Sequence, residues 1–269
     1  MYSLRLTCTA EQVELVSSEL WEAGTIGIQE SERGEKRILV ASFDSDEPVP
    51  GLLARLAGYS PECQHTNPID WVEQTRTAWP ARSIGMRLFL VPPWNRDLTP
   101  TRRERLVHNP GLACGTGEHA CSQLALMALE KSVTPGCSVV DVGTGSGILA
   151  IAALRLGAGL AVGIDPDVTA LAVAAENFRL NDVMPTLVAG SADCVASGCS
   201  DVSVANLSGT VLLSILDELI RITRADGWLI LTGFPETELG AFQSVFPGAE
   251  VSRMGESRCL QIKLSESVC

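Results

Sequence analysis

The chain has 269 residues, 46% of them hydrophobic, a net charge of −12 and a sequence pI of about 4.7. No apolar run reaches the roughly 18–20 residues of a membrane span, and a surface this acidic repels phosphate backbones, which excludes broad nucleic-acid binding. Nine cysteines, an odd number with no C-x-x-C, and three histidines exclude a zinc-type site and point to reduced thiols, so no metal is expected.

The N-terminal stretch MYSLRLTCTAEQVELV has no apolar signal region, so a soluble cytoplasmic protein is expected. Residues 1–58 read as a small α+β unit. YSLRLTC alternates as a strand, and AEQVELVSSELWEAG has helical spacing through Val13, Val16 and Leu20, with Gly24 placed to stop it. IGIQE and RILVASF follow as two strands around a polar turn, SERGEK, and LLARLAGYS as a short helix. This unit carries no catalytic chemistry; recognition or capping are its expected roles. Residues 59–80, with Pro61, Pro68 and Pro80, read as a linker with one helix over DWVEQTRTAW. Trp71, Trp79 and Trp94 suit packing at a domain junction.

From residue 81 onward strands and helices alternate. MRLFLVPPW is a strand ended by prolines, and TPTRRERL is a basic stretch that suits a solvated face. NPGLACGTGEHACSQLALMALEK is a glycine loop feeding a helix, with Thr116 or a neighbour able to cap it. SVVDVGTGSGILAIAALRLGAGLAVGID is a βαβ unit with its glycines at Gly143, Gly145 and Gly147 and acids at Asp141 and Asp165. A helix over DPDVTALAVAAENFRLND follows, then strands TLVAGSADC and DVSVANL, an amphipathic helix VLLSILDELIRITRADG closed by Gly227, the strand GWLILTGF, a helical AFQSVFPG and a terminal strand pair. The alternation predicts an α/β fold with a mostly parallel, doubly wound sheet from about 84 to 264.

The turn D-x-G-x-G-x-G differs from the G-x-G-x-x-G of hydride-transfer folds. An acid on the strand opposes a pyrophosphate but suits a phosphate-free ligand with a cationic amino-acid end, such as S-adenosylmethionine (AdoMet). Asp165, ending the second strand, is placed to accept both ribose hydroxyls; Asp193, after the third, is placed to meet the adenine amine. A dinucleotide and a bare tight turn are the alternatives. Asn206 ends the fourth strand at the ligand edge, where its carbonyl can hold an amine proton and aim the nitrogen at the transferred methyl, or where it simply caps the next helix. His119 is either a base or a capping residue. Methyl transfer to a neutral amine is a direct displacement, for which positioning and desolvation suffice.

Across nearly its whole length the chain resembles the ribosomal protein L11 methyltransferase family (PrmA type). The resemblance is carried by W-x(7)-W from Trp71, P-P-W at Pro92 to Trp94, NPGLACGTGEH from Asn109, DVGTGSGILAIAALRLGA from Asp141, GIDPD from Gly163 and VANL from Val204. It implies a seven-stranded methyltransferase sheet, a small N-terminal substrate-recognition domain (1–58), a linker (59–80) and an AdoMet-binding catalytic domain (81–269). It implies methylation of lysine and N-terminal amines of a ribosomal protein, with another protein lysine, a small amine or a non-catalytic AdoMet module as rivals. The family's cofactor positions fall on Ser122, Gly143, Asp165 and Asn206; with Thr116, Gly117, Asp141, Gly145, Gly147 and Asp193 these make the candidate cofactor set, and Asn206 is the candidate catalytic residue. A monomer is the expected state. The chain departs from the pattern at Cys114, where the family has phenylalanine, at Ala120-Cys121-Ser122 after His119, where it has H-x-T-T, and at Ser257 after Glu256, where it often has tryptophan.

Overall fold

A computed structural model of the chain describes residues 2–25, 27–33, 36–45, 50–65, 79–95, 102–109, 117, 119–184 and 186–265. They fall into two compact units, one within residues 1–78 and the other within 79–269.

The first unit contains β1 (Tyr2–Thr9), α1 (Val13–Glu22), β2 (Gly27–Arg33), β3 (Lys36–Phe43), α2 (Leu52–Arg55) and β4 (Glu62–His65). The four strands form an antiparallel sheet in the order β2-β3-β1-β4. Alternation in β1 sends Leu4, Leu6 and Cys8 to one face, where they share a core with Val16 and Leu20 of α1. Tyr2 stacks on Phe43, centroids 4.6 Å apart. Two features differ from the sequence expectation. The polar SERGEK stretch is mostly strand, because Ser31 and Glu32 pair across to Ile38 and Arg37. Strand β4 lies in the stretch expected to be a linker and pairs with β1 from Tyr2–His65 to Arg5–Glu62; its exposed Glu-Cys-Gln has no apolar alternation to mark it. Residues 70–78 of the expected helix, Trp71 included, lie outside the described residues.

The second unit opens with a small sheet of β5 (Arg82–Ile84), β6 (Leu88–Val91) and β7 (Glu104–Val107). Strand β7 comes from the basic stretch. Arg103 just before it is not a solvated charge: its Nη1 donates to the carbonyls of Gly85 at 3.0 Å and Leu88 at 2.9 Å. The large sheet follows, with α3 (Ala120–Ser132), β8 (Ser138–Val142), α4 (Ile148–Arg155), β9 (Leu160–Asp165), α5 (Val168–Leu180), β10 (Leu187–Ala189), β11 (Ser200–Asn206), α6 (Gly209–Ser214), α7 (Leu216–Ile222), β12 (Thr223–Pro235), α8 (Leu239–Val245), β13 (Glu250–Met254) and β14 (Ser257–Lys263). Its order is β10-β9-β8-β11-β12-β14-β13. The five strands from β10 to β12 run parallel, and β14 is antiparallel to both of its neighbours.

Side chains of each central strand feed two cores. Val139, Val204 and Ile230 face α3 and α4. Their neighbours Val140, Ala205, Leu229 and Leu231 face α6, α7 and α8. A strand buried on both faces reads as a continuous apolar run, which is how VSVAN and WLILT appear in the sequence. The single helix expected over residues 211–227 is two. Ile215, at φ −114° and ψ 13°, interrupts it. It ends at Ile222, where the buried Thr223 hydroxyl donates to the Leu219 carbonyl at 2.7 Å and Gly227 lies inside β12 instead of closing the helix.

Helix α3 is tied to the small sheet through one carboxylate. Glu130 Oε1 accepts the amides of Arg87 and Leu88 at 2.8 and 3.0 Å, and Oε2 that of Met86 at 2.9 Å. Removing the carboxylate leaves three amides of one turn without their acceptor. Glu130→Ala is therefore expected to destabilise this unit by about 2–3 kcal/mol; denaturant unfolding measures it, and a change within about 0.5 kcal/mol would show the turn to be water-satisfied.

Candidate functional site

The sheet order reverses between β8 and β11: β9 and β10 are laid down on one side of β8, β11 and β12 on the other. In open α/β sheets the crevice at the carboxyl ends of such a pair is where ligands bind. Strand β8 ends there in the glycine turn, and β11 ends there in Asn206.

The turn is built by its own residues. Gly143 and Gly147 have φ of 73° and 80°, where a side chain is strained. Space is also closed to a side chain, since a Cβ on Gly143 would strike Leu207 and one on Gly147 would lie 3.1 Å from Ala174 and Phe178. The amides of Gly143 and Thr144 donate to the Ile164 carbonyl of β9 at 2.8 and 2.9 Å.

Asp141 is 1% exposed. Its Oδ2 accepts from Thr144 Oγ1 at 2.7 Å and from the Ala150 amide at 3.2 Å, bracing the turn against α4. Its Oδ1 is buried without a partner among the described residues. Burial pushes the carboxyl up to about 7, against the pull of the bonds from Thr144 and Ala150 and with a further push from the charge of Asp165.

Asp165 ends β9. Its Oδ2 accepts the Gly145 amide and its Oδ1 the Asp167 amide, both at 2.9 Å. Each carboxylate oxygen has a second acceptor site, so both can still take a hydroxyl. The Gly190 amide after β10 donates to the Asp165 carbonyl at 3.1 Å, and Asp193 follows, exposed, in the 3-10 turn Ala192–Cys194. Asp193 makes no hydrogen bond to the other candidates among the described residues.

On the opposite wall, Ser122 is buried in the first turn of α3 and accepts from Asn206 Nδ2 at 3.2 Å. Asn206 Oδ1 accepts nothing from the described residues. His119 occupies the N-cap of α3, exposed and without a side-chain capping bond. Gly117 is buried, and a Cβ there would strike Ile148, the first residue of α4, and Leu90; one residue of the GTG loop thus reaches the glycine turn. Thr116 and Cys114 lie outside the described residues.

The structure therefore brings Asp141, Gly143, Gly145, Gly147 and Asp165 into one hydrogen-bonded turn and couples Ser122 to Asn206. None of these groups is basic, and the oxygens that remain open accept hydrogen bonds. Such a set suits a ligand with a cationic end and hydroxyl or amine donors, and it is wrong for a pyrophosphate. No group of three or more His, Cys, Asp or Glu among the described residues is placed to hold a metal ion, and no helix among them is long and apolar enough to cross a membrane.

Comparison with known proteins meets this geometry. The family model described as ribosomal protein L11 methyltransferase (PrmA) matches residues 1–244. The chain belongs to this family. A ribosomal protein L11 methyltransferase from Syntrophotalea carbinolica is 32% identical over 295 residues, covering 96% of each chain. One from Lactococcus lactis subsp. cremoris is 30% identical over 267 residues, covering 86% of this chain and 84% of the relative. The crystal structure of the ribosomal protein L11 methylase from Lactobacillus delbrueckii subsp. bulgaricus superposes with a TM-score of 0.63 at 30% identity, covering 70% of this chain and all of the other. The doubly wound sheet, the glycine turn and the match along both units are thus those of a ribosomal protein L11 methyltransferase, an AdoMet-dependent enzyme class.

Two buried residues at the site, Asn177 and Asn181, are not evident from the sequence. Asn177 lies on α5 and bonds to the glycine turn at Ser146 and to the Asn109 amide, while Asn181, the C-cap of α5, bonds to the backbone of Val107. Their signal is spacing: in AAENFRLN they share a helical face with Ala174 and Phe178, on the apolar side where a polar residue needs a reason.

Proposed function

We propose that this protein transfers methyl groups from AdoMet to amino groups of ribosomal protein L11, on lysine side chains and at the N-terminus. Bound AdoMet supplies an electrophilic methyl on a sulfonium. Asp141, through its open Oδ1, receives the cationic amino-acid end beside the glycine turn at Gly143, Gly145 and Gly147. Asp165 takes the ribose hydroxyls and Asp193 the adenine amine. Gly117 and Ser122 stand on the facing wall, and Thr116, assigned from the sequence, completes the cofactor set.

Asn206 is the catalytic residue in this reading. Its Nδ2 is held by Ser122, and Oδ1 is the group left to meet an incoming substrate. That oxygen accepts one N–H of a neutral amine and fixes the direction of its lone pair. A displacement needs little more than this alignment and the loss of water. An amine enters deprotonated, and an acidic protein of net charge −12 draws a basic substrate toward the site.

The observation that carries the reading is the buried Oδ1 of Asp141 at the switch point, without a partner among the described residues, in a chain of this family. The test is incubation with labelled AdoMet and purified ribosomal protein L11, read by intact mass. Increments of one methyl group on lysine or N-terminal peptides are expected. Absence of transfer under conditions where AdoMet binds would pass the substrate role to another protein or a small amine. Calorimetry tests the cofactor assignment: Asp165→Ala is expected to weaken AdoMet binding by about 1–3 kcal/mol, and unchanged affinity would refute the ribose contact.

A further inference from the structure

Helix α5 turns a mixed face to the protein interior. Ala174, Asn177 and Phe178 fall at i, i+3 and i+4 on one side of the helix, its C-cap Asn181 continues that side, and each of the four is 1% exposed or less. A buried amide is costly unless every group on it is paired. Here the partners are backbone groups of two separate segments. Asn177 Nδ2 donates to the Ser146 carbonyl at 2.9 Å, and its Oδ1 accepts the Asn109 amide at 3.1 Å. Asn181 Oδ1 accepts the Val107 amide at 2.8 Å, and its Nδ2 donates to the carbonyls of Val107 at 2.6 Å and Asn177 at 2.8 Å.

The two asparagines look alike, but their tasks differ. Asn181 holds only the end of β7. Asn177 joins that segment to the glycine turn. Ser146 lies between Gly145, whose amide is held by Asp165, and Gly147, which packs on Ala174 and Phe178. The turn is therefore fixed on one side by a carboxylate and on the other by a side-chain amide.

We propose that Asn177 is a positioning residue for the cofactor. It acts without touching the ligand, by fixing the peptide plane at Ser146 and tying it to Asn109. The inference rests on the AdoMet reading above. Leucine at position 177 keeps the branched outline of the side chain, at a somewhat larger volume, and removes both bonds. Asn181→Leu is the internal control, equally buried on the same face with no bond to the turn.

The test uses the full chain: AdoMet affinity by calorimetry, thermal midpoint, and steady-state kinetics with ribosomal protein L11, for wild type, Asn177→Leu and Asn181→Leu. Asn177→Leu is expected to raise the AdoMet Kd by about tenfold or more, and to raise KM for AdoMet by a larger factor than it lowers kcat. Asn181→Leu is expected to lower the thermal midpoint comparably while the Kd moves by less than about threefold. Should Asn177→Leu fail to fold, Asn177→Ala, which is smaller and also removes both bonds, is judged by the same criteria. An unchanged AdoMet Kd in the folded Asn177 variant, or equal weakening in both variants, overturns the inference alone. A folded wild type that binds no AdoMet overturns the functional reading, and this inference with it.

Discussion

Asn206→Ala will lower kcat by about 100-fold or more, with a smaller change in AdoMet affinity, under about tenfold. The side chain stands at the end of β11, beside the turn that follows β8, and its amide nitrogen is already engaged by Ser122. Alanine removes the carbonyl that orients the amine and leaves the backbone of the crevice in place. The neutral nucleophile then samples orientations that point away from the methyl. Ser122→Ala should act in the same direction and less strongly, by about tenfold, because it frees the amide to rotate without deleting it. Single-turnover methylation with saturating AdoMet separates chemistry from binding. A kcat within about fivefold of wild type would remove Asn206 from the reaction and return it to helix capping.

The second large effect is on pH dependence, through Asp141. Its carboxyl ionises near the ordinary 3.8 when unfolded and at about 7 when folded. A folded value above the unfolded one means that the protonated form is favoured in the native state. The contribution to stability is then fully present below the unfolded value and is lost as pH rises toward 7. At about 1.4 kcal/mol per unit the span is roughly 4 kcal/mol. Ligand-free wild type is expected to lose stability between pH 5 and about 7 relative to Asp141→Asn, the variant cancelling the titration of other groups. A cationic amino-acid end beside Oδ1 favours the carboxylate. AdoMet affinity should therefore rise with pH through this range, with proton release visible as a buffer-dependent heat, and Asp141→Asn should lack both. Parallel pH curves for the two proteins would contradict this account.

Much of the catalytic unit is legible in the sequence because its signals are local. The glycine spacing after Asp141 specifies a turn, and the acid at Asp165 ends a short apolar run of strand length. Asn206 is visible because it closes the apolar run of β11. What escapes is non-local. Strand β4 has no apolar face and exists because β1 offers it an edge. The stop at Ile222 answers to Thr223, whose hydroxyl bonds both the preceding helix and Ser203 of β11. Arg103 reads as a surface charge, yet its carbonyl partners lie 15 and 18 residues earlier in the chain. Asn177 and Asn181 read as ordinary polar helix residues until the segment 107–109 is brought against them.

Asn181 has an additional consequence for the protein in solution. Strand β7 is an outer strand of its three-stranded sheet. A strand in that place offers unpaired amides and carbonyls to any extended chain that meets it. The side chain of Asn181 takes both the amide and the carbonyl of Val107, as a neighbouring strand would. One asparagine thus blocks the template at its apolar end, and the same residue that steadies β7 guards the crowded enzyme against recruiting strangers into its sheet.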